Sequence, residues 1–299
     1  MRPTFICIGA QKSGTSWLYQ NLAECNGISL TPIKELHYFD REEKYPSPNI
    51  LSETLLIKRL LNLKWFVKSL RHLINILVKN GYFEFKWYFK YYYSNYNDKW
   101  YLSLFTDFKE ISGEITPSYS ILEQGDIIKI KNLLGDIKII FLVRNPVDRA
   151  WSSYKYKYKI DSFDLTDIEH FKNFLFSDEQ LLRSDISRTI SNYQSVFKEG
   201  CILIGFYDAI IDSPKNLLNE IVAFISGNTY AFKDFRYTNE KVNKSSSLNM
   251  PREIEKILID FYKPMINDLS HRYGGYFSKW RDELDNRNFL GDVSSTIII

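Results

Sequence analysis

The run TFICIGAQKSGTSWLYQNL (residues 4–22) constrains the fold more than any other stretch. A short β-rich segment ends in Gly9, a turn carrying glycine, serine and lysine follows, and from Thr15 to Ala23 the apolar spacing suits a helix. Strand, turn and helix in that order set several backbone N–H groups at a helix start. Hydrogen bonding and the helix dipole both favour an anion of phosphate type there. Gly9 and Gly14 keep the G-x4-G spacing of a nucleotide-triphosphate loop, in which lysine and then serine or threonine should come next. Here Thr15 and Ser16 stand in those places and the lysine has moved back to Lys12. A Gly-Thr-Ser turn is also a common N-cap, so the loop alone leaves an ordinary helix start as an equal reading.

The strongest strand signal is DIKIIFLVRNP (136–146), with an unbroken apolar run from Ile139 to Val143 closed by Asn145-Pro146. Such a run marks a strand covered on both faces, as in a parallel sheet. CILIGFY (201–207) is of the same kind, and GISLTP (27–32) and ISGEITP (111–117) are shorter runs stopped by proline. Helical spacing over 148–159, 188–198, 214–225 and 251–271 lies between the strands. The alternation predicts an α/β fold: a central, mostly parallel sheet flanked by helices, with a P-loop-like anion-binding loop.

Residues 1–285 read as a single domain and 286–299 as a flexible C-terminal tail. Residues 41–99 break the rhythm and read as a helical, aromatic-rich insertion. Between 58 and 99 stand nine Lys/Arg against Glu84 and Asp98, a net charge of +7 in a chain whose total is +3. So small a total does not imply a general nucleic-acid role. The most apolar long segment, LNLKWFVKSLRHLINILVKN (61–80), carries Lys64, Lys68, Arg71 and Lys79. It reads as an amphipathic basic helix, and no membrane span is expected. The opening apolar run is too short for a signal peptide. Cys7, Cys25 and Cys201 lack metal-ligand spacing and read as reduced thiols. These features predict a cytoplasmic protein with no metal site.

A second anion site is written at the end of the strongest strand. Nucleotide triphosphatases need an acid at the end of a strand neighbouring the loop, to help hold Mg²⁺. Here that strand ends in Arg144, which repels a metal and attracts a further phosphate. The two stretches together describe a nucleotide with phosphates in two places, held by side-chain cations. Glu35 and His37 lie two apart in KELHYF, on the same side of an extended segment, and are the residue types a general base requires.

GAQKSGTSWLYQNL and FLVRNPVDRAWSSYKY resemble the 5′-phosphosulfate and 3′-phosphate motifs of the sulfotransferases that use PAPS, 3′-phosphoadenosine 5′-phosphosulfate. KELHYFD (34–40), WYLSLF (100–105) and GEITPSY (113–119) resemble the heparan-sulfate-type and related bacterial branch in order and sequence. The resemblance implies that Lys12 contacts the 5′-phosphosulfate, with Ser13, Gly14, Thr15 and Ser16 as further donors. It implies that Arg144 and Ser152 hold the 3′-phosphate and that Glu35 is the base, with His37 as a second polar group. Tyr207 and Tyr193 are candidates to stack on adenine. Lys241, Asn243, Lys244 and Ser245 lie where the family closes a loop over the nucleotide. Glu114 keeps its place, but Ile115 stands where sugar-modifying members carry lysine, which leaves the acceptor class open.

The expected reaction moves the sulfuryl group from PAPS to a hydroxyl or amine of a small molecule or natural product by in-line displacement, leaving 3′,5′-ADP. A carbohydrate acceptor is the alternative. A kinase and a non-catalytic nucleotide- or anionic-glycan-binding module are the more distant readings. The insertion, placed just after Glu35 and His37, is expected either to wall the acceptor pocket or to be an aromatic helix pair serving the core.

Overall fold

The computed structural model describes residues 2–80, 82–159, 167–227, 248–287, 289, 291 and 293–299. Its sheet contains β1 (Phe5–Gly9), β2 (Ile28–Leu30), β3 (Ile111–Ile115), β4 (Lys138–Val143), β5 (Ile202–Phe206) and β6 (Thr296–Ile298). The strand order is β2-β3-β1-β4-β5-β6. All neighbours are parallel except β5 and β6. The parallel strands occur where the apolar runs predicted them. All of β1 and β5 is buried, as is β4 from Ile139 to Val143, because helices cover both faces of a parallel sheet.

The helices are α1 (Thr15–Ala23), α2 (Leu56–Leu61), α3 (Leu63–Asn80), α4 (Tyr82–Tyr92), α5 (Asp98–Ser103), α6 (Gln124–Leu134) and α7 (Pro146–Tyr158). They continue as α8 (Ile168–Leu175), α9 (Asp178–Ser184), α10 (Ile186–Gln194), α11 (Tyr207–Asp212), α12 (Pro214–Ser226), α13 (Arg252–Tyr273) and α14 (Gly275–Leu284). A 3₁₀ turn at Pro117–Ile121 follows β3. The chain leaves β1 towards β2 and β3 on one side, and then crosses to β4 and β5 on the other. Ligands of open α/β sheets bind outside the carboxyl ends of the strands at such a switch point.

Two elements depart from the sequence reading or sharpen it. The segment expected to be a flexible tail supplies β6, whose Leu203↔Ile298 and Gly205↔Thr296 pairs extend the sheet. Thr296–Ile299 is a β-branched run, suited to a strand, and Thr296 Oγ1 donates to Glu220 Oε2 at 2.7 Å. The insertion comprises α2 to α4 and reaches α5. Its aromatic side chains Trp87, Tyr88, Tyr91 and Tyr96 are buried. Trp87 Nε1 donates to the Leu104 carbonyl at 2.9 Å, and Trp100 Nε1 to that of Lys90 at 3.0 Å. Buried Arg59 lies 3.4 Å from the Tyr96 ring centroid, and Tyr96 lies 4.5 Å from Trp100. The aromatic layer ends on Tyr38, whose ring stacks on Tyr101 at 4.7 Å and whose hydroxyl donates to Asp98 Oδ1 at 2.6 Å. The insertion is therefore seated directly against the segment that carries Glu35 and His37.

Candidate active site

The loop between β1 and α1 is shaped by two left-handed residues, Lys12 (φ 69°) and Gly14 (φ 91°). Gly14 is the N-cap of α1 and has no side-chain cap. A Cβ placed on it would lie 2.2 Å from Ile210 Cδ1, the tip of a side chain that can move, so the left-handed backbone more than the crowding makes any other residue strained at position 14. The Ser13 N–H donates to the Ala10 carbonyl at 3.2 Å and the first helical bond runs from Leu18 N–H to the Gly14 carbonyl at 3.0 Å, which leaves the amides of residues 14–16 for a ligand. Ser13 is fully buried and its Oγ has no partner among the described residues. Thr15 is buried beneath the loop and Ser16 is half-exposed.

Three cations converge on this loop. Arg144 leaves β4 at its carboxyl end, with its Cζ 4.4 Å from the Tyr207 ring centroid and its Nε without a partner among the described residues. Asn145 caps α7 by accepting from Val147 N–H at 3.1 Å, and this fixes the path to Ser152. Ser152 is buried. Lys155, one turn further along α7, donates to the Leu248 carbonyl at 3.2 Å. Lys12 Nζ lies 4.2 Å from the Tyr156 ring centroid. Burial holds the Lys12 ammonium below its ordinary pKa, and the charges of Arg144 and Lys155 press it further down. Lys155 is likewise lowered by burial and by Arg144. Positive groups that weaken one another in this way are stabilised together by an anion. The buried unpartnered Ser13 hydroxyl and the unpartnered Arg144 Nε fit a polyanionic nucleotide with phosphates at two points. A cavity of about 150 Å³ adjoins the loop, lined by Gln11, Ser153, Tyr156, Phe174 and Arg183 among others.

The second cluster is built on the carboxyl end of β3, beside β1. Glu35 N–H donates to the Ile115 carbonyl at 3.0 Å. Leu36 N–H donates to Thr116 Oγ1 at 3.0 Å, and Tyr38 N–H to the Tyr119 hydroxyl at 3.0 Å. Both hydroxyls are aimed by the buried Glu114 carboxyl, which accepts from Thr116 at 2.8 Å, from Tyr119 at 3.3 Å and from Tyr101 at 2.6 Å. Buried Glu114 thus holds the backbone on either side of His37. The segment is not extended as the sequence suggested, since Glu35 has φ 70° and His37 φ 56°. Their side chains nevertheless meet: His37 Nε2 lies 3.7 Å from Glu35 Oε2. His37 Nδ1 lies 2.7 Å from Asp40 Oδ2, which also accepts from Ser47 Oγ at 2.6 Å. Lys34 Nζ pairs with Glu35 Oε1. His37 and Asp40 are buried, while the Glu35 side chain is 37% exposed.

The electrostatics follow from this arrangement. Burial disfavours the charged imidazole, but hydrogen bonds to Asp40 and Glu35 outweigh it and raise His37 from 6.5 to about 9. Burial would also raise Glu35, yet His37 and Lys34 hold it down at about 2. Burial pushes Glu114 from 4.5 up to about 7. A group raised on folding stabilises the fold fully below its unfolded value and stops doing so as pH passes its folded value. His37 therefore weakens the fold between pH 6.5 and about 9, and Glu114 does so between 4.5 and about 7. Glu35 acts in the opposite sense, its contribution present above 4.5 and lost as pH falls towards about 2. The expected result is a thermal unfolding midpoint that declines by several degrees between neutral pH and pH 9. His37→Gln should flatten that decline. An unchanged slope in the variant would assign the titration elsewhere.

Of the residues expected from sequence, the structure gathers Lys12, Ser13, Gly14, Thr15, Ser16, Arg144 and Tyr207 around the loop, brings Glu35 and His37 together at the end of β3, and buries Ser152 on α7. Tyr193 is 1% exposed and its hydroxyl donates to the Tyr119 carbonyl at 2.9 Å, so it belongs to the core. Lys241, Asn243, Lys244 and Ser245 lie outside the described residues. Sequence reasoning missed Asp40 and Lys155. Each had a spacing signal: Asp40 is three residues after His37, and Lys155 is three after Ser152 on one helix face.

A sequence model of the sulfotransferase domain matches residues 2–289. Among solved structures, a sulfotransferase from Alicyclobacillus acidocaldarius superposes with a TM-score of 0.57 at 20% identity, covering 97% of this chain and 98% of that one. The sulfotransferase domain of the Synechococcus PCC 7002 olefin synthase gives 0.50 at 16% identity, covering 87% and 94%. No match was found among curated proteins. The domain match spans nearly the whole chain, both solved structures share its sheet architecture, and on that footing the chain belongs to the sulfotransferase family.

Proposed function

We propose that the protein transfers the sulfuryl group of PAPS to a hydroxyl or amine of a small molecule or natural product. The observation that carries this reading is the meeting of Lys12, Arg144 and Lys155 around a loop with a buried, unpartnered Ser13 hydroxyl. The Glu35–His37–Asp40 cluster stands on the adjacent strand ends. PAPS, when bound, supplies the sulfuryl group and a phosphate that departs as 3′,5′-ADP. Lys12, the Ser13 hydroxyl and the amides of residues 14–16 hold the 5′ end, where a fixed cation favours negative charge growing on the leaving oxygen. Arg144, Ser152 and Lys155 hold the 3′-phosphate, and Tyr207 keeps the guanidinium in place from below. Glu35 takes the acceptor's proton, because it is ionised and reaches solvent while His37 is sealed in. His37 and Asp40 position Glu35.

Two features support a small acceptor over a glycan and a place near the heparan-sulfate-type and bacterial branch. Ile115, where sugar-modifying members carry lysine, is a fully buried apolar residue and supplies no cation. KELHYFD forms the compact acid–histidine–acid cluster just described. The insertion lies against Tyr38 and so walls the acceptor side. The test is sulfur-labelled PAPS incubated with a panel of hydroxyl and amine acceptors, with and without EDTA, beside calorimetry of 3′,5′-ADP binding. Label transfer that persists in EDTA supports the reading. Binding without any transfer would leave a nucleotide-binding module, and loss of both would overturn the proposal.

A further inference from the structure

The helix α3 has two faces. Ser69, Leu73 and Ile76 are buried on one. That face is committed to α4, with Ser69 Oγ 3.0 Å from the Tyr93 hydroxyl and His72 Nδ1 3.0 Å from the Tyr92 hydroxyl. The other face carries Leu63, Val67, Leu70, Ile74, Leu77 and Val78, exposed by 37% to 79%. At about 3.6 residues per turn these six fall within an arc of about 100°. Lys64, Lys68, Arg71 and Lys79 form a row along one border of that arc, all exposed. The helix contains no acidic residue, and none of the four cations has an ion-pair partner among the described residues. Ile57 and Leu61 of α2 and Tyr82 of α4 extend the exposed apolar surface at either end. A hollow of about 400 Å³, lined by Leu63, Lys64, Val67, Lys68 and Arg71, opens where stripe and cations meet.

We propose that this face docks the protein on an anionic lipid bilayer, with α3 lying in the plane of the interface. An apolar stripe bordered by cations buries its side chains at the headgroup boundary while the cations meet lipid phosphates. No helix of the described residues is long and apolar enough to cross a membrane, so the contact is peripheral. A second copy of the chain is disfavoured as the occupant. Antiparallel pairing of two α3 stripes sets each row of cations against its own counterpart, with no acid on either helix to offset the repulsion. The docking surface is independent of the sulfuryl-transfer site, and its test can fail without touching that reading.

The experiment is flotation of the whole protein with vesicles of phosphatidylcholine, alone or mixed with phosphatidylglycerol, with light scattering on the vesicle-free protein. The protein should float with the anionic vesicles, not with phosphatidylcholine alone, and should be released as salt rises. Each cation near an anionic surface contributes roughly a fivefold factor. Lys64→Gln, Lys68→Gln and Arg71→Gln together should therefore lower partitioning roughly 10²-fold. Ile74→Asp should lower it independently. Both variants change only exposed side chains, and an unaltered unfolding midpoint verifies the fold. Failure of the native protein to float, or undiminished flotation of the triple variant, overturns the proposal. So does a dimer in light scattering that Ile74→Asp dissolves in a protein that ignores vesicles.

Discussion

Glu35→Gln is expected to lower sulfate turnover roughly 10²- to 10³-fold while leaving 3′,5′-ADP affinity within about twofold. Glutamine keeps the size of the side chain and its contact with Lys34, but it cannot accept a proton. The nucleotide loop lies on the neighbouring strand end and does not depend on that charge. His37 loses one of the two carboxylates that raise it to about 9, so the variant's imidazole should titrate closer to its ordinary range. Residual activity of Glu35→Gln should stay low from pH 6 to 9, because buried His37 does not reach the acceptor. Steady-state rates from pH 6 to 9, with calorimetry of 3′,5′-ADP, test both parts. A fully active Glu35→Gln enzyme would move the base to another group, and tighter or absent nucleotide binding would mean that the two clusters are not separate.

Arg144→Ala should weaken 3′,5′-ADP binding roughly 10²-fold or more, since a charge-assisted contact to phosphate in a half-buried site is worth several kcal/mol. The same substitution should not cost the ligand-free fold stability. Arg144 depresses both Lys12 and Lys155, so its removal relieves repulsion. Tyr207 loses only the stacking of one guanidinium, about 1 kcal/mol. The signature is a variant whose unfolding midpoint equals or exceeds the native one without ligand and no longer rises when 3′,5′-ADP is added. Lys12→Ala should show the same pattern more weakly in binding and more strongly in turnover, because its charge serves the leaving oxygen. If Arg144→Ala binds 3′,5′-ADP as the native protein does, the second anion site lies elsewhere.

The parallel strands were legible because each is encoded locally: an unbroken apolar run can be satisfied only where both faces of a strand are covered. The loop was legible for the same reason, since Lys12 to Ser16 are contiguous and act through their own backbone. Glu35 and His37 were found as residue types, but their meeting was not. It depends on left-handed backbone at both positions, and that geometry is imposed by hydroxyls on Thr116 and Tyr119, some eighty residues away. Asp40 escaped because only the left-handed backbone at His37 brings the two side chains together, and Lys155 because Lys12 and the Leu248 carbonyl reach it from across the fold. β6 escaped because three β-branched residues at a chain end carry no periodicity. Only the free edge of β5 makes them a strand.

That edge strand has a consequence for the conduct of many copies in one solution. β6 occupies the Ile202 amide and carbonyl through Ile299, and it covers the amides of Gly200 and Phe206 through Ile299 and Ser295. Without it, β5 would present a buried-type apolar strand, ILIGF, with a bare row of peptide groups. Such an edge recruits strands from other molecules and seeds aggregation. The last few residues act as a built-in guard against intermolecular sheet growth, and they spare β5, whose far end carries Tyr207, from being pulled out of register by a neighbour.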